Sequence, residues 1–179
     1  MRRAVFLDRD GVVNRAFVRD GKPYPPATLA EFEFLPGVVE AVQRLRNAGF
    51  LIIVVTNQPD VKTGIQRKEM VISMHDYMRA ALGFDDIKVC YHDDSDKCDC
   101  RKPKPGMLLE AALKWDICLS KSFLVGDRWR DIAAGKAAHC RTYFIDFSYS
   151  ERRPEDPDEV VRDIGEACDS ILRYASNPD

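Results

Sequence analysis

Leu51-Ile52-Ile53-Val54-Val55 is an unbroken run of leucine and β-branched residues. A strand with one solvated face alternates polar and apolar residues. A continuous apolar strand is covered on both faces, which is the situation of a parallel sheet between two helical layers. Further stretches that read as strands are Ala4–Leu7, Ile87–Tyr91, Ser122–Val125 and Thr142–Ile145. Segments of helical period fall between them. Pro36-Gly37 opens one with Val38, Val39, Val42 and Leu45 on its apolar side, and Asn47-Ala48-Gly49 ends it. Arg67–Leu82 carries Met70, Met74, Tyr77, Met78 and Ala81 at helical spacing, read as core packing. Met107–Trp115, Asp131–Ala138 and Asp158–Tyr174 complete the set, the last with Val160, Val161, Ile164, Ala167, Cys168, Ile171 and Leu172 inward. This alternation predicts an α/β fold: a doubly wound, Rossmann-like parallel sheet of about five strands with helices on both faces. One domain over residues 1–179 is expected for a chain of this length.

Polar residues follow four of these strands: Asp8-Arg9-Asp10-Gly11, Thr56-Asn57-Gln58, the stretch from His92 to Gly106, and Gly126-Asp127. In open α/β sheets ligands bind beyond the carboxyl ends of the strands, so this convergence predicts a single crevice. Lys22-Pro23-Tyr24-Pro25-Pro26 is expected to be an ordered loop without regular structure, lying over the site. No insertion is long enough for a separate cap, so this loop, the segment after Gln58 and the His92–Gly106 loop must shape the entrance.

Of three Asp-x-Asp pairs, at Asp8/Asp10, Asp94/Asp96 and Asp156/Asp158, only the first follows an apolar strand and precedes glycine. Two carboxylates so close repel unless a cation lies near them. Mg²⁺ suits them and also binds phosphate, with Asp127 as a third carboxylate. Asp131 could bind metal-bound water or cap a helix. Asp8 is then a candidate nucleophile, and Asp10 a candidate acid for the leaving group and base for water.

Cys90-x-His92 and Cys98-x-Cys100 supply four metal ligands within eleven residues. A Cys₃His set leaves no open position, so zinc here should be structural. Arg101 and Lys102 follow directly, and a pinned loop would fix both cations over a bound phosphate.

A net charge of -2, from 27 Lys+Arg against 29 Asp+Glu, offers no field for nucleic acid or an anionic membrane. The longest apolar run is far too short to span a bilayer, and the apolar stretch after Met1-Arg2-Arg3 is too short for a signal-peptide core. A cytoplasmic protein is expected, with the monomer as default.

Asp8-Arg9-Asp10-Gly11, Thr56-Asn57-Gln58, Arg101-Lys102-Pro103 and Gly126-Asp127-x-x-x-Asp131 together resemble, in order, the motifs of the haloacid dehalogenase-like phosphatases. The resemblance extends to about Ile145 and is greatest to the branch holding heptose bisphosphate and histidinol-phosphate phosphatases. It implies Asp8 as nucleophile, Asp10 as acid/base, and Mg²⁺ held by Asp8, the backbone carbonyl of Asp10, and Asp127. It implies Thr56, Asn57, Gln58, Arg101, Lys102 and Arg128 as substrate contacts, and a small phosphorylated sugar as substrate. Such an enzyme would supply activated heptose for surface glycans such as lipopolysaccharide. Two features depart from the heptose enzymes: Arg128 stands where they have lysine, and Pro59-Asp60-Val61-Lys62 replaces a serine-glycine-isoleucine form. The five-residue zinc spacer, Asp93 to Lys97, resembles the histidinol-phosphate enzymes, whereas Lys104-Pro105-Gly106-Met107-Leu108 resembles the heptose enzymes. A heptose 7-phosphatase is the first expectation and a histidinol-phosphate phosphatase the second. A zinc-binding interaction module with vestigial acids is the third, and it predicts that Asp8→Asn leaves function intact.

Overall fold

Alternate side chains of β1 (Ala4–Leu7) point into two separate cores. The computed structural model describes residues 1–176. Val5 and Leu7 meet α1 (Val38–Asn47), α2 (Lys68–Leu82) and α5 (Ile164–Ser176) through Val42, Leu45, Met74, Met78 and Ala167. Ala4 and Phe6 meet α3 (Gly106–Trp115) and α4 (Trp129–Ala137) through Met107, Leu108, Ala111 and Ala134. The sheet is buried on both sides, as the unbroken run at Leu51 requires.

From edge to edge the sheet reads β5 (Asp86–Cys90), β4 (Leu51–Asn57), β1, β6 (Phe123–Gly126), β7 (Arg141–Ile145) and β8 (Glu159–Val161). Every neighbouring pair is parallel, with Val5 opposite both Ile52 and Phe123. The chain steps outward from β1 through β4 to β5, then crosses to β6 and steps outward the other way. The reversal beside β1 opens a crevice at the strands' carboxyl ends, which is the switch-point position for a ligand.

The sixth strand is a correction. Val160 and Val161 begin no helix: Glu159–Val161 pairs with β7, Val160 is exposed, and α5 starts at Ile164. The spacing 160, 161, 164 fits a helical face and also a short strand followed by a helix. The proline-rich segment is also more regular than expected. β2 (Phe17–Arg19) and β3 (Lys22–Tyr24) form an antiparallel hairpin. Its turn, Asp20-Gly21, has positive φ at both residues (50° and 73°), the twist that two-residue hairpins favour. Arg19 and Lys22 close the turn, so Val18 opposite Pro23 falls in the position that exchanges no backbone hydrogen bonds, and the missing N–H is not needed there. Helix α4 begins at Trp129, two residues before the expected start. Val39, Tyr77 and Ala81, assigned to the core by spacing, are exposed; Tyr77 stacks on Phe34 at the edge of the core. Among the described residues, no helix is long and apolar enough to cross a membrane.

Candidate active site

The backbone of β1 and β6 sets the floor of the crevice. Asp8 lies one residue past β1, and its N–H still donates to Val125 O at 3.0 Å, so the sheet ladder fixes it. Asp127 follows β6. Gly11 has φ +90°, and a Cβ there would stand 1.9 Å from Asp127 Oδ2, so only glycine turns the chain and admits that carboxylate. Asp131, in the first turn of α4, accepts from the Arg128 N–H at 3.0 Å. One oxygen each from Asp8, Asp127 and Asp131 lies within 4.8 Å of the others. All three residues are buried.

A single ammonium faces this cluster. Lys102 Nζ lies 2.7 Å from Asp8 Oδ1 and 2.5 Å from Asp131 Oδ1, and donates to Val55 O at 2.8 Å. Burial opposes its charge, but Asp131 and Asp8 outweigh that and raise its pKa. One cation does not balance three carboxylates. Burial, then Asp131, push Asp8 up to about 6 despite Lys102. Burial, then Asp8 and Asp131, push Asp127 well above the usual carboxylate range. Asp127 Oδ1 is buried without a hydrogen-bond partner. An orphaned oxygen among crowded carboxylates is the donor set of a hard divalent cation such as Mg²⁺.

Asp10 is separate. Its carboxylate does not join the cluster. Arg9, fully buried, reaches it through Nε at 3.2 and 3.1 Å and Nη2 at 3.0 Å. Asn14 Nδ2 donates to Oδ1 at 3.0 Å and Gln58 Nε2 to Oδ2 at 2.8 Å. Burial works to raise its pKa, but Arg9, Asn14 and Gln58 outweigh that and hold it below the ordinary value. Asp10 therefore stands ionised in the crevice wall, in the form that takes a proton from water. Behind it, Arg9 Nη1 lies 3.1 Å from His75 Nε2. Burial and the Arg9 charge push His75 down to about 3, so it stays neutral and can accept from the guanidinium. Neither Arg9 nor His75 was expected in the site.

The crevice measures about 310 Å³, and its lining includes Asp8, Asp10, Thr56, Asn57, Gln58, Lys102 and Arg128, together with the hairpin residues Lys22 to Pro25. Thr56 Oγ1 accepts from Gln58 Nε2 at 2.8 Å. Asn57, expected on the phosphoryl group, is engaged elsewhere: its Oδ1 accepts from Lys102 N–H at 3.1 Å and its Nδ2 donates to Lys102 O at 3.0 Å. It braces the lysine across from the end of β4. Arg101 does not line the crevice. Its Nε lies 2.8 Å from Asp94 Oδ1 and its Nη1 donates to His92 O at 3.2 Å, so the loop's own acid and carbonyl take the guanidinium. The outer cations are instead Lys22, Arg128 and Arg130. Arg130 shares Asp94, at 3.2 Å, and lies over the Trp129 ring. Arg128 is forked onto Glu151 at 2.5–3.2 Å. The sequence signal for Arg130 was its place one residue before Asp131, in the helical turn that carries that acid.

Cys90 ends β5, and the other three ligands follow in the next loop. The sulfur–sulfur distances are 3.0, 3.5 and 3.7 Å, and His92 Nδ1 lies 3.3 and 3.7 Å from Cys100 and Cys90. The four donor atoms are close enough together to share one zinc ion. Lys62 holds the loop's far side through Asp93 (3.0 Å) and Asp96 (2.6 Å). Lys102 is two residues beyond Cys100, so the cluster sets where it arrives. Purified protein should contain one zinc per chain. Chelation should lower Tm by about 5 °C or more and, by displacing Lys102, cut kcat/KM by about 10²-fold. Calorimetry and a phosphate-release assay check this; both unchanged after zinc loss would contradict it.

A profile of the haloacid dehalogenase-like hydrolase family matches residues 15–139. A D-glycero-β-D-manno-heptose-1,7-bisphosphate 7-phosphatase of Pasteurella multocida is 36% identical over 151 residues, covering 77% of this chain and 78% of the relative. The enzyme of the same name from Vibrio cholerae is 38% identical over 156 residues, covering 79% and 80%. A crystal structure of D,D-heptose 1,7-bisphosphate phosphatase from B. bronchiseptica, complexed with magnesium and phosphate, superposes with a TM-score of 0.82 at 30% identity, covering 97% of this chain and 99% of that one.

Proposed function

The chain belongs to the haloacid dehalogenase-like hydrolases, and from that membership we propose that it is a Mg²⁺-dependent phosphatase removing the 7-phosphate of D-glycero-β-D-manno-heptose 1,7-bisphosphate. Asp8 attacks phosphorus from the crevice floor, the bond from phosphorus to the C7 oxygen breaks, and Asp10 protonates the leaving alkoxide. The approaching phosphate raises the proton affinity of Asp10, which takes up a proton from solvent as substrate binds and can then give it to the leaving oxygen. Asp10 then takes a proton from water as it attacks the phosphoryl-Asp8, freeing phosphate and Asp8. Lys102 and the Thr56 hydroxyl stabilise the transferring oxygens. Asp8, Asp127 and the backbone carbonyl of Asp10 would hold Mg²⁺, with Asp131 beside it, and the ion would supply charge that screens the repulsion between Asp8 and the phosphate.

The observation that carries the substrate assignment is the placing of positive charge. Lys102 is buried on the floor beside Asp8, with 3% of its side chain exposed. Arg130 (26%) and Arg128 (40%) line the crevice further out. A floor cation and two outer arginines, whose carboxylate partners Glu151 and Asp94 a phosphate would displace, suit a small molecule with phosphate at both ends. Histidinol phosphate carries one phosphate and a cationic amine, and so offers these arginines no second anion. The expected kcat/KM for the heptose bisphosphate exceeds that for histidinol phosphate, and for the heptose bearing the 7-phosphate alone, by on the order of 10²-fold or more. A phosphate-release panel measures this, and a preference for histidinol phosphate would overturn the assignment.

A further inference from the structure

Three consecutive residues beyond β7 touch three different parts of the site. The Tyr149 hydroxyl donates to Asp127 Oδ2 at 2.9 Å. The Ser150 N–H donates to Gly21 O, in the turn of the rim hairpin, at 2.7 Å. Glu151 takes the Arg128 guanidinium. The Tyr149 ring stacks on Phe147, with centroids 5.6 Å apart. None of these residues follows from the site's sequence motifs, since they sit in a polar loop past the last motif.

The chemistry of the first contact is specific. Asp127 has one oxygen without a partner, Oδ1, and one held by Tyr149, Oδ2. A carboxylate free at both oxygens rotates and must be ordered when a cation arrives; one held at Oδ2 presents Oδ1 already aimed. The phenol is a neutral donor, so it orients the group without cancelling the charge a cation needs. Lys102 at Asp8 does cancel charge. A hydrogen bond from the next shell that fixes a ligand in this way is normally worth 10–100-fold in metal affinity.

We propose that Tyr149 is the positioning residue for Asp127, and that Tyr149-Ser150-Glu151 is a strap registering the rim hairpin and Arg128 against the metal carboxylate. The inference rests on the reading of Asp127 as a Mg²⁺ ligand. Calorimetric titration of the apo protein with Mg²⁺, without substrate, tests both. Wild type should bind. Tyr149→Phe keeps the ring and its stacking, so its metal-free Tm should stay at the wild-type value, while its Kd for Mg²⁺ rises about tenfold or more. Its activity should recover at saturating Mg²⁺, which a merely structural lesion would not allow. Glu151→Ala touches neither Asp127 nor the ion, yet through the strap should raise the Mg²⁺ Kd about threefold. Wild type binding Mg²⁺ with Tyr149→Phe unchanged overturns the positioning role alone. No binding by wild type overturns the metal reading as well. An unchanged Kd in Glu151→Ala overturns the strap.

Discussion

Asp8→Asn is expected to lower kcat by on the order of 10⁴-fold or more, because an amide cannot displace the leaving oxygen and nothing else on the floor can take its place. The fold should survive. Asp8 is one of three crowded carboxylates, and its charge is opposed by burial and by Asp131. Removing that charge relieves repulsion, while Lys102 keeps Asp131 and Val55 O as partners. The variant should therefore melt at or above the wild-type temperature. Loss of turnover with intact or raised Tm separates a chemical role from a structural one. Retained turnover would show that Asp8 is not the attacking group; no phosphate release by wild type would favour an interaction module with vestigial acids.

Lys102→Met should fail in the opposite way, losing both stability and rate. The lysine is the only ammonium in contact with Asp8 and Asp131 among the described residues, and all three are buried. Removing it strands charge in a dry site, a loss of about 3–5 kcal/mol. It also removes a donor aimed at the phosphoryl oxygens, a loss of about 10²–10³ in kcat. Added Mg²⁺ should raise the Tm of this variant more than that of wild type, since the ion replaces part of the missing charge. Thermal melts with and without Mg²⁺, together with phosphate release, measure all three effects. A variant as stable and active as wild type would contradict the role given to Lys102.

The sheet was legible because burial on both faces leaves a mark that few other arrangements leave: continuous apolar runs with polar residues at one end. The same rule located Asp8, Thr56 and Asp127, each fixed by a strand end. The zinc set was legible because four ligands of the right type lie within eleven residues. Residue type alone did not tell where long side chains point. Arg101 and Lys102 are adjacent cations in one motif, yet Arg101 folds back onto Asp94 and His92 O while Lys102 enters the floor. The Asn57 amide and the Arg9–His75 pair are held by contacts between elements far apart in sequence. The hairpin was hidden by Pro23, whose missing N–H matters only in one of two alternating positions. Tyr149 and Glu151 lie in a loop beyond a neighbouring strand, and only the packing of β7 beside β6 brings them to the site.

The account turns on a phosphoryl group passing through Asp8. Wild-type protein mixed with Mg²⁺ and heptose 1,7-bisphosphate, quenched in acid during turnover and reduced with borohydride, should yield a peptide in which Asp8 has become homoserine. That conversion should be absent without substrate. Phosphate release with Asp8 unmodified, or with the reduced residue at any other position, would contradict the account.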